Sequence, residues 1–321
     1  FPDNSKGDSK KLDYLTYKAK GNFSYRFSAA HTVEANVVYL QDAPEFQASF
    51  VSPRTRNTTT PGLSAERVFG VDASYNLRVG DLKARVSGYY TRIYDQSKVI
   101  SYYDDVAATF TNFAMSGIDK LHFGLEAAVS IPLYRSLALN GAVSWGQYTY
   151  DSNPYYLQTQ DNSGDIVSDG YVYWKNFRVE STPQLAANVG LSYRSNNNIF
   201  LSADFNNMYL SMSPIYRTDA VITTGMTAED IAHLRRQEKF DSAYTLNASI
   251  GKNWYIHRQY TLGFSLEVKN ILNNQDIRTG GYEQTRLTKN TETTVTTYQA
   301  FDSKYFYMFG TTYYLNLYFR F

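Results

Sequence analysis

The chain contains no cysteine, which removes disulfide staples and thiolate metal sites and suits a periplasmic assembly route. It also has no run approaching the ~18 consecutive apolar residues of a membrane helix, and its mean hydropathy is −0.43. Charge of one sign is missing too: 31 Lys and Arg against 30 Asp and Glu leave +1, so nothing favours nucleic acid. Histidine is scarce, and His31, His122, His233 and His257 include no pair with ligand spacing. No metal and no cofactor are expected. Only His122 falls on an expected strand, with no nucleophile placed beside it, so no enzymatic activity is expected either. The polar opening FPDNSKGDSKK is not a signal peptide, and the natural start of the protein is expected upstream of it.

What the chain does have is aromatic residues, 30 Tyr and 19 Phe among a 16% aromatic total. Low hydropathy with many aromatics is the composition of a transmembrane β-barrel, in which half of each strand faces water and aromatic girdles mark both interfaces. The end of the chain, YFYMFGTTYYLNLYFRF, has this pattern. Tyr313, Leu315, Leu317, Phe319 and Phe321 share one parity, against Thr312, Tyr314, Asn316, Tyr318 and Arg320 on the other. A terminal phenylalanine in this setting resembles the signal by which outer-membrane barrels are recognised for insertion.

Alternation predicts about eleven strands, near Leu12–Phe27, Thr32–Leu40, Arg67–Val79, Leu82–Ser101, Thr109–Ile131, Leu137–Tyr150, Tyr171–Tyr193 with Pro183 as a candidate bend, Ile199–Met212, Phe240–Trp254, Tyr260–Ile271 and Lys304–Phe321. Their connections alternate between short turns, such as Gly80–Asp81, and long polar loops, such as Gln41–Ala65, Asp151–Gly170, Ser213–Lys239 and Leu272–Ser303. The short set belongs to the periplasm and the long set to the outside. Residues before Leu12 are then part of an extracellular loop. On the first strand Lys18, Lys20 and Arg26 share one face and Tyr17, Phe23 and Tyr25 the other. A cation facing lipid at the midplane would cost roughly 2–4 kcal/mol, so the charged face is expected to line the lumen.

Several segments resemble the C-terminal half of a TonB-dependent outer-membrane receptor. LEVKNILNNQDIRTGGYEQTR, Leu266 to Arg286, is similar to the late-barrel VxNLLNN motif followed by a TGGYEQ loop. YRSNNNIFLSADFNNMYLSMSPIYRTDA, LKARVSGYYTRIYDQSKVISYYDD, TNFAMSGIDKLHFGLE and the terminal KYFYMFGTTYYLNLYFRF add to the likeness, which covers most of the chain. The branch resembled carries a carboxypeptidase-regulatory-like domain before its plug and differs from the larger SusC-type glycan importers. The resemblance implies an all-β, antiparallel barrel of about twenty-two strands, with residues 1–321 as its C-terminal half. It also implies an N-terminal half and plug of the same receptor, and energy delivered through TonB. No plug or TonB box lies in these residues, and a lone half-barrel would leave two open edges in lipid. Active import of a scarce ligand is the leading expectation. A passive or structural barrel, such as the scaffold of a larger surface complex, is the alternative. An autotransporter translocator is a third reading, for which the opening residues offer no pore-threading helix.

Candidate ligand contacts lie in the expected outer loops. Tyr102, Tyr103, Tyr155, Tyr156 and Trp174 offer rigid aromatic area, set against a plain girdle role at strand ends. Arg54 and Arg56, with Arg67, suit an anionic ligand or lipopolysaccharide, which with outer-membrane lipid is an expected partner. Thr227-Ala228-Glu229-Asp230 resembles a capping box stapled by Met226 and Ile231, predicting a helix over about Ala228–Glu238. Its Ile231, Leu234 and Arg235 would form a lid or a platform for a surface lipoprotein, or simply pack the loop. The Asp161–Asp165 segment DNSGD has the oxygen-rich character of a calcium loop but no closing Glu, and a solvated loop is expected there.

Overall fold

The computed structural model describes residues 8–53, 56–104, 108–161, 163–179, 182–197, 199–210, 228–229, 237, 240–257, 259–282, 287–290, 297–300 and 302–321. Seventeen strands are defined among them. The first six are β1 (Tyr17–Arg26), β2 (His31–Asp42), β3 (Glu66–Val79), β4 (Leu82–Asp104), β5 (Thr109–Tyr134) and β6 (Leu137–Tyr150). Then come β7 (Tyr155–Gln160), β8 (Ile166–Tyr171), β9 (Pro183–Arg194), β10 (Ile199–Leu210), β11 (Ala243–Ile256) and β12 (Tyr260–Lys269). Four short strands, β13 (Arg278–Tyr282), β14 (Leu287–Asn290), β15 (Thr297–Ala300) and β16 (Lys304–Tyr307), precede the last, β17 (Thr312–Arg320). A single helical turn, α1 (Phe46–Ser49), lies between β2 and β3.

Eleven of these strands form one antiparallel wall in the order β1-β2-β3-β4-β5-β6-β9-β10-β11-β12-β17. The order follows the chain because each neighbour is reached through a hairpin, which needs no crossover. β1 and β17 are the two ends of this path, so the sheet is an open segment of a barrel. The expected eleven wall strands are present, with two corrections. Lys304–Phe321 is interrupted: its first part is β16, which pairs with β13 outside the wall, and the wall strand β17 starts only at Thr312. Tyr171–Tyr193 is not continuous: β8 ends at Tyr171 and the wall strand starts only at Pro183. A proline lacks the N–H that a strand interior needs and is accepted at the first position.

Register separates the two faces across the whole wall. One row runs Phe23, Ala35, Ala73, Gly88, Leu125, Trp145 and Leu185, strand by strand. The next row, one residue along and on the opposite face, runs Ser24, Glu34, Ser74, Ser87, Glu126, Ser144 and Ala186. At the far end Leu262, Phe264 and Leu266 pair with Phe319, Leu317 and Leu315, which keeps the last strand in phase. The apolar rows have no protein layer over them, Leu317 being 71% exposed, so lipid is their solvent. The polar rows tie themselves together: Asn22 Nδ2 donates to Asn36 Oδ1 (2.6 Å) and Asn36 Nδ2 to Asp72 Oδ2 (2.8 Å). Gly124 and Gly146 face each other across β5 and β6, and the phenols of Tyr89 and Tyr148 meet over them at 2.5 Å.

Nine wall strands have 9 to 14 residues, but β4 has 23 and β5 has 26. A bilayer crossing takes about 9–11 residues. The β4–β5 hairpin therefore rises far beyond the membrane, and the structure's buried core sits on that rise rather than in the wall.

Candidate functional site

The extracellular lobe is built on the β4–β5 hairpin. Pairing of β4 with β3 stops at Tyr94, and the register shifts at Ile93/Gln96 and Gln96/Lys98 beside Asp95 at φ 63°. Such bulges bend the hairpin away from the wall. Above the bend the edge of β5 is taken by β7, from Thr111–Gln160 to Ser116–Tyr155, and β8 pairs with β7. The chain after β8 returns along the top of β6, where Val179 N donates to Tyr148 O and Tyr150 N to Phe177 O, both at 2.8 Å.

These segments enclose a core of Tyr102, Phe113, Met115, Ile118, Tyr150, Tyr156, Val172, Trp174 and Val179. Phe113 stacks on Tyr156 with centroids 4.4 Å apart, and Tyr150 packs on Trp174 at 4.4 Å. The β2–β3 loop closes over the hairpin with Phe50 and Val51 buried and Thr60 Oγ1 donating to Ala48 O at 2.7 Å. Hydrogen bonds between polar side chains cross the lobe. Gln158 Nε2 donates to Asp104 Oδ2 (2.6 Å), and Asp161 accepts from Asn112 Nδ2 (2.8 Å).

At the base of the lobe, just above the apolar rows, Arg67 pairs with Asp95 (2.5 Å) and Arg92 with Asp151. The ring of Tyr94 lies between the two guanidinium groups, 5.3 Å from Arg67 and 4.9 Å from Arg92. Higher up, Tyr155 donates to Asp169 at 2.7 Å, and that bond to a carboxylate pushes the phenol above its ordinary value.

The aromatic residues expected to contact ligand divide between interior and surface. Tyr102, Tyr156 and Trp174 are 9%, 4% and 1% exposed and belong to the lobe core. Tyr103 stands at the tip, edge-on to Phe110 at 5.2 Å, and Tyr155 packs edge-on to Tyr171 at 5.6 Å. Arg56 lies against Gly164, its guanidinium at ordinary van der Waals distance from where a Cβ would stand. Arg54, Ile231, Leu234 and Arg235 lie outside the described residues. Ala228 and Glu229 are helical, and Gln237 meets the lobe directly. Its Oε1 accepts from Arg178 N (2.8 Å) and its Nε2 donates to Arg178 O (2.7 Å). His122 packs edge-on against Tyr148 at 5.1 Å, and His31 Nδ1 lies 2.6 Å from the Tyr75 hydroxyl. Among the described residues no three His, Asp or Glu side chains converge as a metal would require.

A second feature is the asparagine clasp at the outer end of β12, whose role alternation does not reveal. Asn270, 3% exposed at φ 51°, donates through Nδ2 to Asn274 O (2.9 Å) and Phe309 O (3.0 Å). Its backbone N–H donates to Asn247 Oδ1 (2.9 Å), and Thr311 Oγ1 donates to its carbonyl (2.9 Å). One residue thus joins β11, β12 and the entry to β17. The only signal for it in the sequence is the KNILNN motif, read above as a likeness and not as a hydrogen-bonding device.

A wall with a greasy outer face, a wet inner face, tight turns at one end and folded loops at the other is the wall of a bacterial outer-membrane β-barrel. More particularly, the sequence model of the TonB dependent receptor-like β-barrel family matches residues 2–271, and the chain belongs to that family. No curated protein matches it significantly in sequence. Among solved structures it is similar to a protein described as the copper transporter OprC, at 14% identity and TM-score 0.51 over 92% of this chain. It is also similar to the FrpB iron transporter from Neisseria meningitidis (F3-3 variant), at 12% identity and TM-score 0.51 over 94%. These likenesses concern the fold. The chain spans 37% and 39% of the length of those two proteins.

Proposed function

We propose that this chain forms part of the wall and the extracellular face of a plugged barrel that actively imports a scarce ligand across the outer membrane. The observation that carries the reading is the pairing of a polar inner face with a tall, internally cored lobe beside the outer mouth. A passive pore needs no such structure, whereas capture of a dilute compound benefits from a rigid platform. The N-terminal half of the receptor completes the barrel, its plug closes the lumen, and TonB acts on the plug. No covalent chemistry is assigned to the chain.

In this reading Tyr103, Tyr155, Arg54 and Arg56 contact the ligand or a surface lipoprotein. Tyr102, Tyr156 and Trp174 hold the platform rigid from within. The segment Met226–Lys239, with Ile231, Leu234 and Arg235, is a lid or docking helix whose far end is anchored through Gln237. Outer-membrane lipid surrounds the apolar rows, and lipopolysaccharide meets the Arg67–Tyr94–Arg92 stack, which lies on the same outward parity as Phe69 and Tyr90.

Depletion of compounds from a complex medium, followed by mass spectrometry, tests the reading. A compound removed only when both the full-length receptor and TonB are present supports active import. Removal that persists without TonB means a passive channel, and receptor-independent depletion throughout points to a scaffold.

A further inference from the structure

The periplasmic end of the inner wall gathers four cations, Arg26, Arg78, Lys83 and Arg85, on one face. Arg78 and Lys83 sit directly opposite each other across the β3–β4 hairpin, and the next pair on the same face is Asn76 with Arg85. Register carries that row through Thr32 to Arg26 on β1. Like charges directly opposite in an antiparallel pair are destabilising, and all four side chains are exposed. Among the described residues none of them has an ion pair. The carboxylates around them are Glu34 and Glu126, each one row up on this face, and Asp81 in the hairpin turn; Glu34 accepts from Asn76 Nδ2 at 3.2 Å, and none of the three is in an ion pair with the four cations. Beside them a recess of about 360 Å³, lined by Arg26, Ala29, Glu34, Asn76 and Arg78 among others, opens on the lumen.

We infer that this patch is the seat of an acidic polypeptide segment of the domain that fills the lumen, carboxylates toward β1–β4. The parity of the four residues excludes membrane lipid, because they share the face of Ser24, Ser74 and Ser87 and not that of Phe23 and Leu125. Guanidinium groups favour carboxylates through paired N–H donors. Lumens of this size class are occupied by a plug, so a segment of it is the occupant within reach. The like-charge pairing of Arg78 with Lys83 is the cost that an acidic partner offsets. The inference rests on the plugged-barrel reading and adds to it which part of the wall the acidic part of the plug faces.

Two measurements on the full-length receptor in cells test it. A photo-reactive benzoylphenylalanine at position 83 is expected to cross-link a plug peptide carrying more than one Asp or Glu. Capture of a neutral or basic plug segment, of a different protein or of nothing overturns the inference. Replacing Arg26→Glu together with Arg85→Glu is expected to raise entry of a large hydrophilic antibiotic about tenfold by repelling the segment. Arg26→Lys with Arg85→Lys is expected to leave entry unchanged. Heat-modifiable migration on gels checks that each variant folds, and unchanged entry in a folded reversal variant overturns the inference. A plug retained normally in that variant leaves import intact as a reading, whereas a receptor that holds no plug at all removes both.

Discussion

Gln237 grips the backbone of Arg178 with both atoms of its side-chain amide, 2.8 Å from the N–H and 2.7 Å from the carbonyl. The pairing reproduces one rung of a β-ladder with a side chain, and it fastens the long loop before β11 to the strap that runs along β6. Gln237→Ala leaves both Arg178 groups to water, at a cost to docking of about 1–3 kcal/mol. The expected result is amide hydrogen exchange at Arg178 and Val179 faster by about tenfold or more, with the wall strands unchanged. Equal exchange in wild type and variant would show that the grip does not hold the loop.

Asn270 combines a left-handed backbone with three strands' worth of hydrogen bonds, so its replacements should rank by which part they lose. Asn270→Gly keeps the backbone conformation and loses the side-chain bonds, at about 1–3 kcal/mol. Asn270→Ala loses the same bonds and keeps a Cβ in the left-handed region, a cost of about 1–2 kcal/mol that glycine does not carry. Asn270→Asp keeps an acceptor but takes away the donor to Asn274 O and Phe309 O. Urea unfolding of the receptor in detergent should order Ala below Gly. The reverse order would mean that the conformation at φ 51° is not maintained in the folded protein.

A Cβ at Gly146 would lie 2.6 Å from the hydroxyl oxygens of both Tyr89 and Tyr148, too close for either phenol to remain. Gly146→Ala should therefore lower the temperature at which the barrel loses its compact gel migration. In a Tyr89→Ala, Tyr148→Ala background the same change should cost little, because the sites couple only through contact. Additive losses would show that the glycine matters for another reason.

The face assignment of the last strand is open to direct labelling. A fluorophore on Leu317→Cys or Phe319→Cys should be quenched by brominated lipid, and one on Asn316→Cys by aqueous iodide. Reversed quenching would invert the parity on which both the wall and the basic patch depend.

The membrane architecture was legible in the sequence because it rests on a period of two. Leu315, Leu317 and Phe319 against Asn316 and Tyr318 state which way each residue faces before any partner strand is known. Register was legible only indirectly, and the wall ladder adds that Phe264 lies opposite Leu317 and Glu126 opposite Ser144. The Tyr171–Tyr193 misreading came from joining two alternating stretches across Thr182–Pro183, where the chain leaves the lobe and enters the wall. Among the candidate site residues, Tyr102 and Tyr103 are neighbours of one type, yet one is core and the other is at the tip. Alternation indicates that their faces differ, but not which face the folded loop covers.

By itself, then, the sequence determined the class of fold, the number of wall strands and their facing, since each follows from the order of polar and apolar residues along one strand. Tertiary structure alone decided that β4 and β5 carry a cored lobe, that Asn270 joins three strands and that Gln237 meets Arg178. It also decided that Arg26, Arg78, Lys83 and Arg85 gather on one surface. Each of these depends on which residues far apart in the chain are brought together, and that is set by register and loop closure rather than by any local period.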